Sequence, residues 1–136
     1  MAYVKENKNA LAQLYNRIGN CLAAELPEGW THVCLGFFVD KSGHEDMLIF
    51  VSDDEGSAWH DFMDDVFAAD DIMVGIFDCK EFCQELYELC AKAGDKWASF
   101  TLMMDAEGHF KAEFSYDSFD KLTPVIKAMW MGEYLE

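Results

Sequence analysis

The 136-residue chain carries five cysteines and four histidines, the side chains whose types and spacing most readily suggest chemistry. Cys79 and Cys83 stand four residues apart, which on a helix puts two thiols on one face and within reach of one metal ion. No histidine or second cysteine pair lies near them in sequence, so they read as small core hydrophobes. His44 and His109 each follow an Asp-x-x-Gly turn, Asp40 to Gly43 and Asp105 to Gly108, and read as exposed strand starters rather than as a shared metal site. Trp59-His60-Asp61 places an imidazole beside a carboxylate, but adjacent helical residues point apart. Asp53-Asp54-Glu55-Gly56 hints at a calcium loop and lacks the alternating ligands and closing glutamate that such a loop needs. A nucleophile needs a base in reach and an oxyanion donor, and no Gly-x-Ser-x-Gly or cysteine-bearing elbow is present. The expectation is a protein without catalytic residues, metal or cofactor.

Charge points elsewhere. Twenty-six acidic residues against ten basic ones give a net charge of −16, which repels nucleic acid and anionic membranes and favours basic partners. Between Ser42 and Cys79 there is no Lys or Arg, while Glu45, Asp46, Asp53, Asp54, Glu55, Asp61, Asp64, Asp65, Asp70, Asp71 and Asp78 all fall there. About two thirds of the net charge thus sits in one segment. A surface charged only for solvation normally mixes both signs and gains weak pairs. The block, chiefly Asp53, Asp54, Glu55, Asp61, Asp64, Asp65, Asp70 and Asp71, with Trp59 as an aromatic anchor, is the expected partner interface.

The length suits one domain over residues 1–136, large enough to bury a core without staples. An odd cysteine count at no disulfide-framework spacing suggests reduced thiols and a cytoplasmic protein, although one leftover thiol could pair between chains. The first residues contain no apolar signal-like stretch, and nowhere do about eighteen consecutive apolar residues occur, so neither export by a signal peptide nor membrane spanning is expected.

The elements that must position this surface are most legible from Trp97 to Asp117. Asp105-Ala106-Glu107-Gly108 suits a type I turn followed by a left-handed glycine, a three-residue hairpin loop with a bulge. That register sets Phe100 opposite Phe114, Leu102 opposite Ala112, Met104 opposite Phe110 and Ala98 opposite Tyr116 on one face. Thr101 opposite Glu113 and Ser99 opposite Ser115 make the other face polar. The same turn around Asp40 to His44 joins Trp30–Val39 to Glu45–Ser52, with Val33 opposite Val51, Leu35 opposite Ile49 and Phe37 opposite Met47. Cys34 then faces Phe50 and Gly36 faces Leu48, so both faces are apolar and these strands belong in the middle of a sheet.

Leu11, Leu14, Tyr15, Ile18, Leu22 and Leu26 recur at helical spacing, which predicts an amphipathic helix over 9–26, capped by Asn9 and ended by Pro27. Ala58, Trp59, Phe62, Met63, Val66 and Phe67 predict a short helix with Asp61, Asp64 and Asp65 on its outer face. Residues 72–77 suit either a short strand or a buried lead-in. Asp78 to Glu81 resembles a capping box opening a helix with Cys79, Phe82, Cys83, Leu86, Leu89, Cys90 and Ala93 as its stripe and Gly94 as its stop. Thr123-Pro124 predicts a last helix to about Met131, followed by an aromatic tail that should dock on the body. The fold class expected is α+β: an antiparallel sheet of two hairpins, at least four strands, covered by amphipathic helices.

The motifs just quoted, together with Leu86-Tyr87-Glu88-Leu89, Phe114-Ser115-Tyr116-Asp117, Trp130 and Tyr134-Leu135, resemble the YezG-type immunity proteins over most of the chain from about residue 11. The resemblance implies a non-catalytic antitoxin that binds and occludes a secreted bacterial toxin, a nuclease. A nuclease site built to hold phosphate is basic, and clustered carboxylates could occupy it. The segment from Asp53 to Phe77 departs from the family pattern. Two other classes remain open: an acidic adaptor or chaperone for another basic protein, and a small Cys/His enzyme.

Overall fold

The computed structural model describes residues 3–68 and 74–135. In chain order its elements are α1 (Tyr3–Glu6), α2 (Lys8–Glu25), β1 (His32–Val39), β2 (Glu45–Ser52), β3 (His60–Asp61), α3 (Phe62–Ala68), α4 (Val74–Lys92), β4 (Ser99–Asp105), β5 (Phe110–Ser115) and α5 (Pro124–Tyr134). Among the described residues the strands form one antiparallel sheet in the order β3-β2-β1-β4-β5, which makes the fold α+β.

Both hairpins adopt the bulged register. Val33 pairs with Val51, Leu35 with Ile49 and Phe37 with Met47, while Phe100 pairs with Phe114, Leu102 with Ala112 and Met104 with Phe110. The turns share their chemistry as well as their sequence. Asp40 Oδ1 accepts from the Ser42 and His44 amides, and Asp105 Oδ1 from those of Glu107 and His109, while Gly43 and Gly108 take φ of 88° and 94°. The Ser42 hydroxyl and the turn amides hold the Asp40 carboxyl below its ordinary pKa. Gly108→Val should therefore lower stability by about 1–3 kcal/mol, since a β-branched residue is strained at positive φ. Glu107→Ala, at an exposed tip, should change it little. Equal melting temperatures for the two variants would rule out this origin of the register. The second hairpin departs from the expected register at its base, where Ala98 does not pair with Tyr116: the ladder stops at Ser99–Ser115, the Ala98 amide bonds to Ser115 O at 2.7 Å, and the Tyr116 hydroxyl donates to Asp95 Oδ1 at 2.6 Å.

The two hairpins join edge to edge through β1 and β4, with Leu35 opposite Leu102 and Phe37 opposite Phe100. One face of the sheet meets α2 and α4, burying Leu11, Leu14, Ile18 and Leu22 of α2 and Cys79, Cys83, Leu86 and Cys90 of α4 against Val33, Leu35, Phe37, Ile49, Phe100 and Leu102. Trp97 closes one end of this core, with Tyr87, Phe37 and Phe114 around its ring. The other face carries Cys34, Phe38, Leu48 and Phe50 and is covered by Trp130 of α5, with Phe119, Leu122, Met131 and Tyr134 beside it. Thr101, expected on a polar outer face, is buried there and accepts a hydrogen bond from Trp130 Nε1 at 2.9 Å.

Several helix boundaries differ from their expected places. Asn9 lies inside α2, whose N-cap position is Asn7; the Asn7 backbone amide and its side-chain Nδ2 both donate to Tyr3 O, so the side chain makes no cap. At the other end Leu26 is extended before Pro27, as the proline requires. Asp78 is not a cap but sits in the second turn of α4, which already starts at Val74. Near that end the Gly75 amide bonds to Glu25 Oε1 of α2 at 3.3 Å, and a Cβ on Gly75 would lie 2.7 Å from Glu25 Cγ. A carboxylate from another helix thus accepts from one amide near this end of α4. Leu89 and Ala93 fall off the buried stripe. Gly94 ends α4 at φ 83°, and Thr123 Oγ1 caps α5 by accepting from the Ile126 amide. That last helix runs one turn beyond Met131, to Tyr134.

Candidate partner-binding surface

The described part of the acidic block from Asp53 to Asp65 lies along the β2–β3–α3 edge of the sheet, at the opposite end of the strand order from β5. Residues 58–61 are not helical. Ala58 and Trp59 precede β3, where Asp61 pairs with Phe50 and His60 with Val51, and the helix begins only at Phe62. The local period is overridden because extended backbone here completes the outer ladder of β2, and Trp59 packs, half-buried, on the cluster beneath α5.

The block's carboxylates divide into those that build the loop and those that face outward. Asp54 Oδ1 accepts from the Ser52 hydroxyl at 2.7 Å and the Ala58 amide at 2.9 Å. The Ala58 amide and the Ser52 hydroxyl hold the Asp54 carboxyl below its ordinary range. Asp61 Oδ1 accepts from the Met63 amide and so caps α3. Asp53, Glu55 and Asp64 are exposed, as is Asp65, which meets His60 Nε2 at 2.8 Å. Glu55 sits at φ 62°, its amide donating to Thr31 Oγ1. Asp70 and Asp71 lie outside the described residues.

Trp59 is not a freely projecting anchor. With Trp30 and Val51 it walls a cleft of about 260 Å³ whose rim includes Glu28 and Asp53. Aromatic walls below carboxylates suit a long cationic side chain, whose apolar stem and charged head need both. Exposed apolar residues that the sequence did not reveal include Val74 and Phe77, 59% and 58% exposed in the first described turn of α4. They continue along one helical line into Glu81, Glu85 and Glu88, all exposed. Their outward phase was hidden because residues 72–77 were open to a buried reading; the helix starting at Val74 turns Ile76 inward instead.

The thiols show no activation. Burial pushes Cys34 and Cys79 up to about 12, raises Cys83 well above its ordinary value, and raises Cys90 and Cys21 as well. Cys79 Sγ donates to Ile18 O inside the core. His44 and His109 occupy separate hairpin tips; His109 Nδ1 is 3.0 Å from Asp105 Oδ2, and His44 Nε2 is 3.7 Å from Asp46 Oδ1. No described helix is long and apolar enough to cross a membrane. In comparisons with known proteins, the family model described as "Immunity protein YezG-like" matches residues 11–136. The comparison with curated proteins finds no match.

Proposed function

The chain belongs to the YezG-like immunity protein family, and from that premise we propose that it is a non-catalytic antitoxin that binds and neutralises a cognate bacterial toxin, a basic nuclease domain, in the cytoplasm. The observation that carries this reading is the acidic edge, built from a segment without Lys or Arg between Ser42 and Cys79: Asp53, Glu55, Asp64 and Asp65 project from one end of the sheet, with the His60 imidazole 2.8 Å from Asp65. Opposite charge speeds encounter with a phosphate-binding surface, and a Trp-walled cleft beside it offers a seat for an arginine or lysine. Val74 and Phe77 give the same segment an exposed apolar contact of the kind that dominates binding energy when desolvated. The buried, proton-holding thiols support binding over cysteine chemistry, which needs a thiolate.

Co-expression with the toxin domain encoded next to this gene tests the reading, scored by survival and by co-purification. Asp54 and Asp61 have structural work in the loop, so the surface is best probed by Asp53→Asn, Asp64→Asn and Asp65→Asn together. This variant should melt near the wild type and associate about tenfold more slowly, and added salt should slow the wild type towards it. Association rates indifferent to both would move the interface to the α4 face at Phe77, Glu81, Glu85 and Glu88.

A further inference from the structure

We propose that the outer edge of β5 pairs with the same edge of a second copy of this chain, joining two sheets into one across a twofold axis. β5 is the last strand of the sheet, and among the described residues nothing pairs with its outer side. Its backbone polarity follows from the turn. The Asp105 amide donates to His109 O at 3.0 Å, so this is a hydrogen-bonded pair, and alternation along the ladder makes Met103–Lys111 and Thr101–Glu113 bonded pairs too. Phe110, Ala112 and Phe114 therefore direct their amides and carbonyls away from β4, to the free edge. Any strand added there bonds to those three residues.

Charge then selects both the occupant and the register. In an antiparallel pairing centred on Ala112, Phe110 meets Phe114 of the second copy, and Lys111 meets its Glu113, each contact made twice by symmetry. The Lys111–Glu113 contacts fall at non-bonded positions, where facing side chains come closest. Centring the axis on Lys111 sets lysine against lysine, and centring it on Glu113 sets glutamate against glutamate. An axis at Phe110 or Phe114 leaves half of β5 without a partner strand. Phe110, 39% exposed at the end of the strand, gains an aromatic neighbour in the favoured register. A lysine on an edge strand ordinarily blocks pairing. Here Lys111 Nζ lies 3.7 Å from Glu113 Oε2 of its own chain, and in one register only does each also face its opposite charge across the seam, which makes the edge selective for its own sequence. Because the acidic surface occupies the other edge of the sheet, the dimer leaves both copies of it open.

Sedimentation of the full chain, from micromolar to submillimolar concentration in moderate salt, tests the pairing. The wild type should pass from monomer to dimer. Lys111→Glu and Glu113→Lys should each weaken self-association by about tenfold or more, through like charges brought face to face. An equimolar mixture of these two variants should recover the dimer, since the two carboxylates of one then meet the two ammonium groups of the other; no effect within a single chain produces that recovery. Ala112→Pro removes an amide that faces only the free edge, so it should leave a folded monomer by circular dichroism. A wild type that stays monomeric throughout, a mixture that does not associate, or an Ala112→Pro variant that dimerises like the wild type would each overturn the proposal.

Discussion

Trp130→Ala is expected to lower the free energy of unfolding by about 3–5 kcal/mol, the range for removing a buried aromatic side chain from a packed core. Trp130 is 6% exposed, lies edge-on to Phe38 with ring centres 5.6 Å apart, and packs against Phe50 and Tyr134. It also donates the hydrogen bond that satisfies the Thr101 hydroxyl, so truncation leaves both a void and a buried polar group without its donor. Its seat is made by Gly36, where a Cβ would stand 2.6 Å from Trp130 Cζ2 and 2.9 Å from Phe38 Cε2. Gly36→Ala should accordingly destabilise the wild type but cost far less in the Trp130→Ala background. A double-mutant cycle by chemical denaturation reads this coupling. Strict additivity would show that α5 does not depend on the close approach of Trp130 to β1.

Asp95→Ala should cost about 2–4 kcal/mol and loosen the N-terminal turn before the rest of the fold unfolds. Asp95 is fully buried, its Oδ2 accepting from the Val4 amide at 3.0 Å and its Oδ1 from the Tyr116 hydroxyl at 2.6 Å. Its own amide bonds to Cys90 O at 2.8 Å as α4 ends. One residue thus ties together α1, the end of α4 and the segment leaving β5, its carboxylate making the first and last of these links. Burial, reinforced by the hydrogen bond to Asp95, keeps the Tyr116 hydroxyl protonated well above the ordinary tyrosine range. Tyr116→Phe removes one donor and should cost about 1 kcal/mol, while Asp95→Asn keeps one acceptor and should fall between the two. Melting temperatures give the order. Hydrogen exchange at Val4 separates a local role from a global one, because an unchanged Val4 rate in Asp95→Ala would sever the link to α1.

Both strand registers are legible in the chain, since side chains alternate with a period of two and a single slipped residue would set Phe100 against Glu113. The Asp-x-x-Gly turns complete the information locally, through one carboxylate and one left-handed glycine each. The stripe of α2, the Gly94 stop and the Thr123-Pro124 start are equally local. The acidic block is visible as composition, but which of its carboxylates are engaged by the backbone is not: Asp54, though exposed, and Asp61 accept from backbone amides of a loop whose path depends on Trp59 and on pairing with β2. Likewise Ala58 and Trp59 have helical spacing with Phe62 yet form an extended lead-in, because the exposed edge of β2 offers hydrogen bonds that a short isolated helix would have to find from water. The Gly75 amide of α4 finds its acceptor in Glu25, fifty residues earlier in the chain, and the polar face of β4 is buried because α5 brings Trp130 to Thr101. Periodicity reports what a segment's faces are; what covers each face, and which distant group satisfies each end, is a free-energy balance among parts of the chain that meet only when it is folded.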